Sequence, residues 1–528
     1  MPTLNEKIAA SLERLRELGT GQAGVLRSKD LSRTHLERLL QHGYLRQIMP
    51  GWVMVVDPSA RMGDSTPFFA NFWRFLSLYC EDRFGPEWAA DAQTSLRLHA
   101  GENTVPRQVI VVSPKGNNLN QAFPFNTSLF SSRGEVPPSE VKDGMRVMPL
   151  GEALVKASPS FFAQERPAAL AALASLGSSA EVLDPLIRGG HSVIAGRLAT
   201  AFRSIGRIGV ADEIVAAMTA AGHRVTEGEN PLQDVPPGLS FRRRVSPVAA
   251  RITALWAQMR TGVLETFEDE PTEVDDTASY LSALDERYVS DAYHSLSIEG
   301  YQVTPELIDK IRRGEWSPER SQSDRDQRNA LAAKGYADCF KLVRGAVADI
   351  LGGANPAAVV SERHMQWFRA MFQPSVAAGL FLPERLAGYR QHFIYLDGSR
   401  YVPVAHASVQ DAMDAFFDSF EAEEDPRVRA VLGHFVFTYI HPLPDGNGRI
   451  GRFIMNSQLA SGGYPWTVIP IDERQRYMQS LDAASLQHDI RPFAGLAADL
   501  VRREPPPPRR RAAGEEPAYL PQGSAHQP

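Results

Sequence analysis

Apolar residues at Val428, Val431, Leu432, Phe435, Val436, Tyr439 and Ile440 recur at helical spacing on one face. The stripe ends at His441, because Pro442 disfavours helical dihedrals in the residue before it. A second stripe, Ile450, Phe453 and Ile454, begins just after Gly446 and Gly448. The pattern predicts a helix, a short loop and the N-terminus of a second helix. Near the start of the chain, Leu4 to Leu18 reads as helical, and Gly24 to Leu31 as a second short helix. Ser32 is the expected N-cap of a third helix, running through Leu36, Leu39 and Leu40 to a C-cap at Gly43. Tyr44 to Val56 then reads as two strands around Pro50-Gly51. Two more runs of β-formers, Phe393–Tyr395 and Tyr401–Val404, flank an Asp397-Gly398 turn and predict a β-hairpin.

Length changes the picture first: 528 residues are too many for one core, so two to four domains are expected. The 62 acidic and 56 basic residues leave a net charge of −6, which gives no global nucleic-acid signal. Two cysteines, Cys80 and Cys339, exclude a disulfide framework or a zinc cluster and read as buried apolar fillers. The N-terminus shows no signal peptide and no apolar run is long enough to span a bilayer, so a cytoplasmic protein without membrane contact is expected. Proline and arginine runs predict a linker over 227–246. Nine acidic residues between Glu265 and Glu286 predict a solvated connection. The Pro505–Pro508 and Arg509–Arg511 runs predict a disordered tail over 504–528.

The chemistry concentrates in His441-Pro-Leu-Pro-Asp445-Gly446-Asn447-Gly448-Arg449-Ile-Gly-Arg452. A helix N-terminus presents unpaired N–H groups and attracts anions. Gly446 and Gly448 let the backbone approach a phosphate, Asn447 can add a side-chain donor, and Arg449 and Arg452 share a helical face. Arginine's planar fork matches phosphate oxygens. Asp445 is a hard oxygen ligand suited to Mg²⁺ beside phosphates, and His441 can take a proton near neutral pH. There is no Gly-Lys-Ser/Thr, so this is not a Walker A loop.

This stretch resembles the signature of the Fic family, His-Pro-Phe-x-Asp/Glu-Gly-Asn-Gly-Arg-x-x-Arg, matching it at eight positions. Leu443 stands where the family usually has Phe, which predicts looser loop packing without loss of chemistry. The resemblance implies transfer of AMP from ATP to a Ser, Thr or Tyr hydroxyl of a target protein, or of the chain itself. It makes His441 the general base, Asp445 the holder of Mg²⁺, Gly446–Gly448 the phosphate cradle and Arg452 the γ-phosphate ligand. The hairpin around Tyr395, Leu396, Asp397 and Gly398 is similar in position to the Fic flap that docks the target by strand addition. Ser295-Leu-Ser-Ile-Glu299-Gly300 resembles the family's inhibitory motif, in which the glutamate pairs with the second signature arginine, here Arg452. Fic domains often form homodimers, which the resemblance allows here.

Three helices and a hairpin over 1–56 read as a winged helix-turn-helix, with Arg33, Thr34, Arg38 and Arg46 as candidate DNA contacts. Winged helices also dock proteins. This segment resembles the N-terminal domain of AbiEi-like antitoxins, and the similarity extends into 57–226 through Ser95–His99, Val105-Pro106 and Val109–Val112. The expected architecture is a mainly α multidomain chain: winged helix (1–56), mixed α/β domain (57–226), linker and connecting helix (227–276), helical Fic domain with inhibitory helix and β-hairpin flap (277–503), then the tail. Two other readings stay open. One is transfer from another donor, such as UTP, GTP or a choline-bearing nucleotide. The other is a DNA-binding repressor or antitoxin-like regulator whose Fic domain acts as a sensor.

Overall fold

The computed structural model describes residues 3–18, 24–58, 64–102, 104–233, 235–236, 239–316, 327–396 and 398–505. Most of them are helical. The first helix, Leu4–Glu17, starts at a capping box in which Thr3 and Glu6 satisfy each other's backbone donors. The helix Arg33–Gln41 starts at Ser32, whose hydroxyl accepts from the His35 N–H. Between them Val25–Arg27 is a strand followed by a single 3-10 turn, Ser28–Asp30, rather than the expected helix. Its backbone pairs with Trp52–Val55, which also pairs with Leu45–Met49 across the Pro50-Gly51 turn. Leu15, Leu26, Leu31, Leu39, Leu45 and Val53 close a small core beneath this sheet.

The next body is mixed α/β. The helix Thr66–Phe84 buries Phe68, Phe72 and Phe75 against a four-stranded sheet. The sheet order is Ala89–Ala90, Gln108–Ser113, Thr127–Arg133, Asn120–Phe123, and the two central strands run parallel. Short alanine- and leucine-rich helices from Leu150 to Ala220 form a second core. The stretch after them is not the solvated linker its prolines suggest. Leu232, Leu239 and Phe241 are buried in that core, and Pro247–Thr266 is a buried helix. This helix lies against Arg166–Ser175 on one side and Val409–Ala422, Pro426–Ile440 and Arg491–Arg503 on another. Residues 506–528 of the expected tail lie outside the described residues.

The largest core belongs to the C-terminal helices. Gln327–Leu351 and Pro356–Ala377 form an antiparallel pair that meets at Gly335. A Cβ there would stand 1.8 Å from the Met371 carbonyl oxygen, so only glycine permits this helix spacing. Pro426–Ile440 and Asn447–Ser461 are buried on nearly every face, because they pack on each other and Pro247–Thr266, Gln327–Leu351, Pro356–Ala377 and Val409–Ala422 surround them. Among the described residues no single helix is long and apolar enough to cross a membrane.

Gly335→Ala should lower stability to urea by about 3 kcal/mol through backbone overpacking. Gly345→Ala, at an exposed position of the same helix with open space around it, should raise stability by roughly 0.5–1 kcal/mol. A Gly335→Ala midpoint equal to wild type would contradict the close helix approach.

Candidate active site

The helix Pro426–Ile440 ends at His441, which takes a left-handed conformation (φ 54°, ψ 55°). A non-glycine residue there is strained by about 1–3 kcal/mol, so its surroundings must hold it. They do so through Arg390, which is 1% exposed. Its Nε donates to the His441 carbonyl at 2.7 Å, Nη2 to the Val404 and Ile440 carbonyls and Nη1 to the His392 carbonyl. The Arg390 backbone N–H donates to the Pro442 carbonyl. Sequence reasoning missed Arg390. Its signal is a cation in an otherwise apolar and β-prone stretch.

The loop 441–446 is closed by Asn447. Its Oδ1 accepts from the Leu443 N–H and its Nδ2 donates to the Leu443 carbonyl, each at 2.9 Å. Both ends of the amide are used in shaping the turn, and Nδ2 keeps a second N–H beyond its bond to Leu443. Leu443, fully buried, seats the loop in the core. Gly446 caps the helix Asn447–Ser461 with φ 80°, and a Cβ on it would meet the Phe372 ring at 2.9 Å. The first turn of this helix therefore presents its backbone N–H groups beside His441.

The His441 Nδ1–H donates to the Thr438 carbonyl at 3.1 Å, which leaves the Nε2 lone pair as the basic position. Burial lowers its pKa to about 4; the Thr438 carbonyl opposes this, and the Arg390 charge adds to it. The ring is therefore a neutral proton acceptor throughout the physiological range.

Asp445 is half-exposed, and its Oδ1 accepts from the Gly446 N–H and from Arg449 Nη2. Among the described residues no group of three or more metal-binding side chains exists. A lone carboxylate fits Mg²⁺ that completes its shell with phosphate oxygens and water. Arg449 is buried between the faces of Tyr301 and Phe372, 5.3 and 5.0 Å from the ring centroids, so it steadies Asp445.

Arg452 is 3% exposed. Its Nε donates to Ser295 Oγ (2.9 Å), and Nη2 donates to the Ser295 carbonyl (3.1 Å) and to Glu299 Oε1 (2.7 Å). Its Nη1 is buried without a partner. Burial alone would raise the Glu299 carboxyl, but the charges of Arg452 and Arg449 hold it below the usual carboxylate range. Burial likewise works against the Arg452 charge, and Glu299 together with the nearby Tyr477 and Tyr336 keeps its pKa above the usual value. A Cβ on Gly448 would lie 2.4 Å from Glu299 Oε1, so the carboxylate reaches the glycine turn itself. Gly300 ends the Glu299 segment with φ 86°. Sequence reasoning missed the layer beneath: Tyr336 donates to Asp291 at 2.7 Å, and Tyr477 and His434 share a hydrogen bond at 2.8 Å. These residues are scattered in sequence and only packing unites them.

The stretch around Tyr395, Leu396 and Gly398 runs beside this site, but Phe393–Leu396 and Tyr401–Val404 do not pair as strands. Their backbone groups are used otherwise. The His392 and Val404 carbonyls accept from Arg390, the Arg400 carbonyl accepts from the Val105 N–H, and Gly398 N–H donates to Thr66 Oγ1. A turn is kept, since Ser399 N–H donates to the Leu396 carbonyl. Asp397 lies outside the described residues. The four candidate DNA contacts are not brought into one free basic face. Arg33 pairs with Glu37 and Thr34 is exposed, but Arg38 turns inward to the Lys7 carbonyl and Ser11, and Arg46 donates to the Asp64 carbonyl.

Residues 360–459 match the Fic/DOC family model. The protein adenylyltransferase Fic of Drosophila willistoni is 34% identical over 119 residues, 22% of this chain and 23% of that protein. The protein of the same name from Nematostella vectensis is 34% identical over 126 residues, 23% of this chain and 29% of that protein. The match thus spans about a quarter of the length of these curated relatives. A Fic domain containing signaling protein from Bacteroides thetaiotaomicron aligns over 48% of this chain and 92% of its own, at 18% identity and a TM-score of 0.34. His441, Asp445 and Arg452 lie inside the matched stretch, and through residues 360–459 this chain carries a Fic/DOC domain.

Proposed function

We propose that this chain is a protein adenylyltransferase that moves AMP from ATP to a protein hydroxyl and is held off at rest by Glu299. The observation that carries the reading is His441, with Nδ1 tied to a carbonyl and Nε2 basic, beside a helix N-terminus whose arginine is held by a carboxylate. Nε2 takes the proton of a target hydroxyl, and that oxygen attacks the α-phosphorus of ATP. The bond from the α-phosphorus to the bridging oxygen breaks, and pyrophosphate leaves. Asp445 would hold Mg²⁺, which neutralises charge on the phosphates when bound. The first-turn N–H groups orient the phosphates, and most of the rate gain is positioning and charge compensation. Glu299 occupies the guanidinium edge that the γ-phosphate needs, so ATP cannot seat productively while the pair persists. The named activity of the Drosophila and Nematostella relatives supports the choice of donor.

Intact-mass spectrometry after incubation with ATP and Mg²⁺ tests the chemistry. Glu299→Gly should gain one AMP by self-modification at least roughly tenfold faster than wild type. Glu299→Gly/His441→Ala should lose about 10²–10⁴ of that rate. Equal rates in wild type and Glu299→Gly would remove the brake, and full activity of the double variant would remove His441 as base.

A pH profile tests the state of His441. Because its pKa is lowered to about 4, the base stays unprotonated as pH falls from 8 to 6, and its protonation costs activity only as pH approaches 4. Removing Glu299, whose charge raises the His441 pKa, moves that limb lower still. The Glu299→Gly rate should therefore stay level from pH 8 to 6. A loss centred near the ordinary imidazole value, about 6.5, would contradict the buried neutral ring.

A further inference from the structure

A cleft of about 300 Å³ lies where the α/β body meets the Fic domain, away from His441. Two charged residues on its wall neutralise each other, since Arg97 pairs with Glu165. A third group, the Glu102 carboxyl, has its pKa raised by burial. Two guanidiniums remain. Arg107 immediately precedes the central strand Gln108–Ser113, and Arg400 comes from the stretch beside the active site. Among the described residues neither has a carboxylate within ion-pair distance. Burial lowers the Arg400 pKa, and the neighbouring Arg107 charge lowers it further, with Asp482 acting in the opposite sense. Two like charges facing one cleft without a counter-ion repel each other, and an anion between them relieves both.

The remaining wall suits an organic group. The Trp73 Nε1–H is buried without an acceptor. The His488 imidazole, set in left-handed backbone at a helix end, has no hydrogen-bond partner among the described residues. Thr104 and Gln164 add further polar groups. A cleft of this size, lined mainly by polar and charged groups with Trp73, Pro106 and Leu486 among them, has room for a small polar molecule.

We propose that this cleft binds a phosphate monoester with an organic moiety about the size of a nucleoside, its phosphate held between Arg107 and Arg400. Arginine forks suit phosphate oxygens, and the unpaired Trp73 and His488 groups face the organic part. The two arginines belong to different bodies, so the ligand bridges the α/β body and the stretch 395–404. The Val105 N–H already reaches the Arg400 carbonyl at 3.0 Å, and Arg400 Nη1 donates to the Val105 carbonyl at 3.1 Å. A bound ligand adds to this junction. The proposal goes beyond the transferase reading and stands without it, because binding alone is its readout.

Calorimetric titration of the full chain with AMP and with adenosine tests it. Wild type should bind AMP saturably, and adenosine at least roughly tenfold more weakly, because the phosphate carries the charge-assisted bonds. Arg107→Ala, at an exposed position that folding does not need, should weaken AMP about tenfold or more, and Arg400→Ala likewise. Arg33→Ala, a solvent-exposed arginine of the N-terminal helices, should leave AMP affinity unchanged. Amide exchange over 398–404 should slow when AMP is added. The proposal is overturned by no saturable AMP binding, by equal affinity for adenosine, by unchanged affinity in Arg107→Ala, or by an equal loss of affinity in Arg33→Ala.

Discussion

A guanidinium buried in a protein interior needs a counter-charge, and Arg452 sets that requirement for the whole C-terminal half. Desolvation of such a group is expensive, and removing one partner of a buried pair is costly unless another anion replaces it. The chain meets the need with one helix. Thr277–Ile298 runs past Arg452 so that Ser295 offers a hydroxyl and a carbonyl, and Glu299 a carboxylate just past its end. The unpartnered Nη1 shows that the demand is only partly met. In the reading proposed above, the brake and the phosphate compete for one electrostatic vacancy, and the resting state is whichever anion fills it.

The loop beside Arg452 is held in shape by the chain's own groups. Asn447 clips it to Leu443, Arg390 fixes the His441 carbonyl, and Thr438 fixes the imidazole. Each contact joins a polar side chain to a backbone group, so the loop's own carbonyls and N–H groups hold its shape. Groups held this way need little reorganisation when charge develops near them.

The helices that carry His441 and Arg452 were legible because their signals are local. The stripe from Val428 to Ile440, the Pro442 stop, the two glycines and the Ser295–Glu299 spacing act within a few residues of each other. Ser32 was legible as a cap for the same reason. The failures share the opposite cause. Val25–Arg27 becomes a strand because Trp52–Val55 supplies its partners, well beyond any local window. The stretch 393–404 lacks a ladder because Arg390, Val105 and Thr66 take its backbone groups, and two of these come from another body. Prolines and arginines over 227–246 concealed Leu232, Leu239 and Phe241, three widely spaced apolar anchors that fill a core without any periodicity. Asn447 and Arg38 were correctly seen as polar, but which way a polar side chain turns is decided by neighbours that the sequence does not place.

The helix Pro247–Thr266 has Ala250 and Ala254 in the core of the short alanine-rich helices and Ile252, Leu255 and Met259 in the core of the C-terminal helices. One rod of backbone is thus shared property, and neither core is complete without it. A gene fragment cut where the charged connection ends, near Thr277, would strip the C-terminal half of a wall and leave an apolar trough open to water. The unit that could be moved intact into another protein therefore begins no later than Pro247. The unit that could be left behind needs the same residues, so the two halves are separable on paper and inseparable as folding modules.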